Sequence, residues 1–220
     1  MARVSNTLLN GIKGTMGDMI FYEINGVTYT RRKPAKRTNA EKKRMKKSPL
    51  NERSQGMFSS VQKYLKTLRR AIAFGYQEFS HGASMPYHAC VSYTRKNCFA
   101  LDGKDYRIDP ALIKVSRGSL MPAEDAKAEK TTDGIRFTWR NNSWISSAKP
   151  WDRAFIVIHD LSNSAMEWVD LGNTREQGEQ LLNLDSYYSN KSWHAYLAFS
   201  QQDPYSKKRT LSDSVYLGLV

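Results

Sequence analysis

Cysteine, histidine and long apolar runs are all scarce in this chain. Only two of its 220 residues are cysteine, Cys90 and Cys98, and four are histidine, His81, His88, His159 and His194. Two thiols make no disulfide framework, and these are too far apart for a C-x-x-C redox or zinc knuckle. Both are expected to be buried, reduced and packed as small hydrophobes. His88-x-Cys90 with Cys98 offers soft ligands at a spacing that fits no zinc module. No H-x-x-x-H, H-E-x-x-H or G-x-S-x-G pattern occurs. Gly11-Ile12-Lys13-Gly14 is a turn-like G-x-x-G without the Gly-Lys-Ser/Thr of a P-loop. Asp160 follows His159 on an expected strand, so the two side chains point to opposite faces. The residues therefore predict no enzyme, no cofactor and no metal.

No stretch of eighteen apolar residues is present, which excludes a membrane-spanning helix, and the longest clear apolar run is Ala154 to Ile158. Met1 to Glu23 lacks the apolar core of a secretory signal, so a cytoplasmic or virion-associated protein is expected, with no membrane partner. The chain is 40% hydrophobic and 11% aromatic, enough for a folded core.

What is abundant is positive charge, and it is unevenly placed. The net charge is +13. Residues 1–99 hold 19 Lys and Arg against 5 Asp and Glu, whereas residues 100–220 hold 15 against 16. The peak is Arg31, Arg32, Lys33, Lys36, Arg37, Lys42, Lys43, Arg44, Lys46 and Lys47, opposed within that run only by Glu41. Like charges this dense repel, so the segment needs a counter-charged partner or stays a solvated arm. Phosphate backbones supply such charge and release condensed ions on binding. An acidic protein surface would supply it too.

Upstream of the arm, Asp18 to Ile24 and Val27 to Arg32 flank Asn25-Gly26, the strongest short signal of a type I′ hairpin. A two-residue loop pairs Tyr22 with Tyr29 and Ile20 with Arg31. Ile20, Tyr22, Ile24, Val27 and Tyr29 then share one face, which is expected to dock. Ala40 to Lys47 allows a short basic helix. Ser48-Pro49 starts a long amphipathic helix to about Phe74, with Phe58, Val61, Leu65, Leu68 and Ile72 as its core stripe. Lys63, Lys66 and Arg70 lie away from that stripe and extend the candidate polyanion site. A second helix is expected from Met85 to Phe99.

Residues 101–110 are expected to be a linker between a hairpin-arm-helix module, 1–100, and a β-sandwich domain, 111–220. The sandwich reading rests on seven short segments: Ala111–Ser116, Ile135–Arg140, Arg153–His159, Ala165–Asp170, Glu179–Leu184, Ser192–Ser200 and Thr210–Leu217. That count and length fit an immunoglobulin or fibronectin type III sandwich, giving an α+β chain overall. Trp139 is expected at the centre of its core. Trp193 to Phe199 is apolar on both faces, as a central strand would be.

Several of these runs, taken in order, resemble a family of uncharacterised proteins of Bacteroidota bacteria. They are Val115-Ser116-Arg117-Gly118-Ser119-Leu120, Gly134 to Trp139, Asp152-Arg153-Ala154, Ala195 to Phe199 and Ser212 to Gly218, with Lys63-Tyr64-Leu65 and Gly75-Tyr76 in the middle. The resemblance implies a hairpin, a helical middle and a sandwich, and no catalytic residue. Gly26 to Arg32 with Pro34 has a shorter likeness to phage and prophage proteins. Ile24-Asn25-Gly26 departs from the family's usual Trp-Lys-Gly.

Binding is thus expected rather than catalysis. The first candidate is sequence-nonspecific binding of DNA or RNA. The second is a virion-associated or assembly protein whose arm grips a protein neighbour in a homo- or hetero-assembly. A surface-adhesion module is the third.

Overall fold

The computed structural model describes residues 2–4, 11–44, 48–81, 84–102, 105–162, 164–185 and 191–220. The chain divides into two compact units, Met1–Gln55 with Ser80–Met85, and Gly56–Phe79 with Pro86–Val220.

In the first unit, β1 (Ala2–Arg3), β2 (Gly14–Met16), β3 (Met19–Ile24) and β4 (Val27–Arg32) form one antiparallel sheet in the order β1-β4-β3-β2. Asn25 and Gly26 both turn with positive φ, 50° and 75°, as a type I′ loop requires. The register is the expected one, with Tyr22 opposite Tyr29 and Ile20 opposite Arg31. The two tyrosines stack at 6.0 Å between ring centroids. The most buried positions, however, lie on the other face. Phe21 and Thr28 are buried, and the Gly11 amide donates to Thr28 Oγ1 at 2.9 Å. The face expected to dock is only half-buried.

The basic segment leaves β4 as an extended, exposed strand-end and reaches α1 (Asn39–Arg44). Thr38 and Glu41 form a capping box around its start. The Glu41 amide donates to Thr38 Oγ1, and Glu41 Oε2 accepts from the Thr38 amide at 2.8 Å. The one acid of the run is therefore occupied in helix capping. α2 (Pro49–Leu65) starts at Ser48, whose Oγ accepts from the Asn51 amide.

In the second unit the helix expected to reach Phe74 is interrupted. α2 ends at Leu65, a turn covers Lys66–Leu68, and α3 (Arg69–Gly75) follows. Val61, Leu65, Leu68 and Ile72 are fully buried as expected, but Phe58 is 47% exposed, because the packed stripe begins a turn later at Val61. α4 (Pro86–Asn97) supplies Cys90 and Val91 to the same core. Both cysteines are buried and free. Burial pushes their thiols up, to about 12 for Cys90 and about 11 for Cys98.

The stretch expected as a linker is instead a hairpin, β5 (Phe99–Asp102) against β6 (Asp105–Ile108). It belongs wholly to the second unit, so the division between units does not fall there. Its alternation of Asp and Lys reads as polar linker, yet Phe99 and Ile108 pack on the core. Ala111–Ser116 is not a strand. Asp109 caps a single 3-10 turn over Pro110–Leu112, and Ser116 then bonds to the Gly75 and Ser212 carbonyls. A Cβ at Gly75 would meet the Val115 carbonyl at 2.1 Å, so only glycine allows this approach.

The remaining strands are β7 (Glu124–Thr131), β8 (Gly134–Arg140), β9 (Arg153–Asp160), β10 (Ala165–Val169), β11 (Glu179–Asn183), β12 (His194–Gln202), β13 (Arg209–Leu211) and β14 (Val215–Leu219). They make two antiparallel sheets. One is three-stranded in the order β11-β8-β7, and the other runs β10-β9-β12-β13 with β14 also paired to β12. β7 escaped the sequence reading because its EDAKAEKT alternates charge with alanine. The last expected strand is two, divided at Ser212, whose Oγ accepts from the Phe199 amide at 2.8 Å.

Alternation along β9 and β12 serves two cores at once. Ala154, Ile156, Ile158, Ala195, Leu197 and Phe199 pack with Ile135, Phe137 and Trp139 of β8. Phe155, Val157, Tyr196 and Ala198 pack with α2, α3 and α4. Next to the first core lies a fully buried ion pair, Arg175 Nε to Asp152 Oδ2 at 3.1 Å. Arg175 also donates to Asn142 Oδ1 at 2.5 Å and to the Met121 carbonyl at 2.8 Å, and its guanidinium lies 3.7 Å from the Phe199 ring centre. Trp139 Nε1 donates to the Arg175 carbonyl at 2.8 Å. Gln201 donates to the other Asp152 oxygen. Burial raises the Asp152 carboxyl and lowers the Arg175 guanidinium, against the mutual attraction that keeps the pair ionised.

Removing one partner strands the other charge. Arg175→Ala is expected to cost about 3–5 kcal/mol in urea unfolding, because Asp152 stays buried without its counter-ion. The double variant Arg175→Met with Asp152→Ala should recover part of that loss. A single Arg175→Ala cost under about 1 kcal/mol would mean that the pair holds nothing together.

Candidate nucleic-acid interface

The arm residues Arg31, Arg32, Lys33, Lys36 and Arg37 are all exposed. Arg32 Nη2 lies 3.8 Å from Asp18 Oδ2, and the Lys33 amide donates to the Asp18 carbonyl at 2.6 Å. Asp18 thus ties the root of the arm to the turn before β3 and offsets part of its charge. Arg32, Lys33 and Lys36 line a shallow cleft of about 620 Å³ with Asp18 and Pro34. Lys42, Lys43 and Arg44 fall on α1, but their side chains, and Lys46 and Lys47 altogether, lie outside the described residues.

A second set of cations sits on the second unit. Lys63, Lys66 and Arg69 line one groove of about 650 Å³, closed by Tyr87 and His88 of α4. Tyr87 Oη donates to Gln62 Oε1 at 2.9 Å, and the Arg69 guanidinium lies 5.2 Å from the Tyr87 ring centre. These contacts hold the ring and the guanidinium in place. No carboxylate lines this groove among the described residues. Arg70, chosen by unbroken helical spacing, is exposed but does not line it. α3 begins at Arg69 after the turn over Lys66–Leu68, and Arg69 takes that position. Tyr87 and His88 had no sequence signal, since they arrive from α4 by tertiary packing.

Lys63 also borders a neighbouring pocket of about 480 Å³. Tyr64 of α2 and Thr67 of the following turn form one wall, Tyr106, Arg107 and Ile108 come from β6, and His159 from the end of β9. His159 is 2% exposed and meets Tyr64 edge to face at 5.1 Å. Burial, and then the neighbouring His194, lower its pKa to about 4, against the opposing pull of Asp160. The imidazole is therefore neutral at physiological pH, and its Nδ1 is buried without a hydrogen-bond partner among the described residues.

Elsewhere, the loop between β8 and β9 exposes Trp144, Ile145 and Trp151. Trp144 has φ 71°, unusual for a bulky side chain, and its ring meets Trp151 edge to face at 5.7 Å. Asn142, buried against Arg175 and the Pro122 carbonyl, anchors the loop from beneath. Among the described residues no three His, Cys, Asp or Glu side chains converge as a metal site, and no helix is long and apolar enough to cross a membrane.

A strand-rich protein of mixed α and β structure, built of antiparallel sheets and carrying cationic grooves, is the class these features define. Within it, the chain belongs to DUF6266, a family of unknown function whose model matches residues 11–218. No curated protein and no solved structure matches the chain.

The buried neutral His159 has a consequence for pH. Its folded pKa lies below the unfolded value of 6.5, so the unfolded state takes up the proton first and stability falls as pH drops from about 6.5 towards 4. The loss between pH 7 and pH 5 should be about 2 kcal/mol. His159→Leu should abolish that part of the pH dependence in urea titrations. An unchanged dependence in the variant would place the titrating group elsewhere.

Proposed function

We propose that this chain is a non-enzymatic binding protein that holds DNA or RNA through phosphate contacts, without reading sequence. The observation that carries the reading is the groove of Lys63, Lys66 and Arg69, closed by Tyr87 and free of lining carboxylates among the described residues. The exposed arm from Arg31 to Arg37 adds a second cationic surface. Basic grooves paired with aromatic rings suit a polyanion that carries planar bases. We further propose that the three-stranded and five-stranded sheets of the second unit form a fibronectin type III-like sandwich. The strand orders β11-β8-β7 and β10-β9-β12 with β13 and β14, joined through one apolar cluster, support it. A cytoplasmic or virion-associated setting, in Bacteroidota or their phages, goes with this proposal.

A phosphate-binding arm makes affinity depend on salt. With about six contacts, affinity for duplex DNA should fall by about a thousandfold between ~50 and ~200 mM salt, and for single strands by about three-hundredfold. Changing Arg31, Arg32, Lys33, Lys36 and Arg37 together to Ala should weaken binding to all sequences alike and flatten the salt slope. An intact protein that shows no binding to DNA or RNA at low ionic strength would overturn the reading.

One observation favours the alternative, an assembly protein that uses the arm on an acidic protein neighbour. Trp144, Ile145 and Trp151 present an apolar surface on an anchored loop. In that case the five arm substitutions, and separately Trp144→Ala with Trp151→Ala, should abolish a complex seen by sedimentation. A monomer unaffected by the double substitution would remove this alternative.

A further inference from the structure

Lys63 borders two cavities, the cationic groove with Lys66 and Arg69 on one side and the Tyr64, Tyr106 and His159 pocket on the other. Their linings differ in a way that points to a ligand. In the pocket the exposed cations are Lys63 and Arg107, whereas the more buried wall is uncharged: Tyr64, Thr67, Tyr106, Ile108 and a His159 at 2% exposure. A ligand that fits this gradient has an anionic group outside and a neutral planar group inside. The volume of about 480 Å³ lies within the ~300–1,000 Å³ of ordinary small-ligand clefts. Aromatic walls favour a flat π-system by stacking.

We infer that this pocket receives one unpaired nucleobase while its flanking phosphates lie on Lys63 and the neighbouring groove, so that the preferred ligand is single-stranded nucleic acid. The inference rests on the nucleic-acid reading above and narrows it. A base paired in a duplex is stacked and turned inward, and placing it here would require the cost of unpairing it. A single strand offers the base freely. The arm and groove contact phosphates alone and do not distinguish the two forms. The pocket is the part that does.

The wall also suggests a substitution that blocks it. Ser60 is exposed on α2, lines the pocket, and its hydroxyl donates only along its own helix, to the Gly56 carbonyl at 3.0 Å. Ser60→Trp would fill the cavity from its rim and leave the buried stripe untouched.

The test uses the full chain and labelled 15-mers of deoxyuridine, of uridine, and of abasic deoxyribose phosphate, followed by fluorescence anisotropy at fixed salt. The abasic strand keeps the phosphates and lacks the bases. The intact protein should bind the deoxyuridine or uridine strand about five- to a hundred-and-fiftyfold more tightly than the abasic strand, the range of one stacked base. The sugar of the tighter strand identifies DNA or RNA as the source. Ser60→Trp should bring base-containing strands down to the abasic level and leave abasic affinity unchanged. Tyr106→Ala should act in the same direction, and provides the check if the tryptophan variant does not fold by circular dichroism. Equal affinity of the intact protein for base-containing and abasic strands would overturn the pocket inference and leave the phosphate-binding reading standing. No binding to any of the strands at low salt would overturn both.

Discussion

The pair β9 and β12 is buried on both faces, and the second unit is organised around that constraint. Seven paired positions join the two strands, from His194 opposite His159 to Ser200 opposite Arg153. Each strand sends alternate side chains to opposite sides. One set meets the three-stranded sheet, and the other meets α2, α3 and α4. A strand pair with one polar face could have served only one of these layers. Because both faces are apolar, the helices cannot detach without exposing Phe155, Val157, Tyr196 and Ala198. The cationic face of α2 is therefore carried on a fixed support. The Arg175–Asp152 pair adds specificity at one end, since its guanidinium and carboxylate link Met121, Asn142 and Gln201, while the Arg175 carbonyl accepts from Trp139 Nε1.

The arm follows the opposite physical rule. It is held by backbone pairing at its root and by the Thr38–Glu41 box at α1, and its cations between are exposed. Nothing apolar recommends that segment to a core, and its cations face solvent. The groove built from α2, α3 and α4 is different in kind. Its guanidinium and phenol are positioned by contacts, which lowers the ordering cost of binding.

Legibility in the sequence followed the range of the interactions. The Asn25-Gly26 hairpin and its register, the Ser48 cap and the buried stripe from Val61 to Ile72 were readable because each is set within a few residues. The apolar double face of Trp193 to Phe199 was readable too, but its meaning was not. A central strand of a sandwich explains two apolar faces equally well, yet one face here belongs to the helices. Phe21 was overlooked because its neighbours Glu23, Thr28 and Thr30 look polar, yet Thr28 is buried beside it. Strand β7 was missed since charge and alanine carry no apolar alternation. The linker between 101 and 110 was misjudged for a similar reason, its polar centre hiding Phe99 and Ile108. At the candidate site, Lys63 and Lys66 were found by helical spacing. Arg69 was lost to a helix break that no residue announces, and Tyr87, Tyr106, Arg107 and His159 converge only by packing across the chain.

The central claim is that α2 and the arm present cations to nucleic acid while the sheets support them. Amide hydrogen exchange of the full chain, with and without a saturating single-stranded oligonucleotide, tests it most directly. The account predicts new protection at residues 31–44, 59–69 and 105–108, with the amides of β7, β8 and β11 unchanged. Protection confined to the three-stranded sheet or to the Trp144 loop, or no change anywhere, would contradict it.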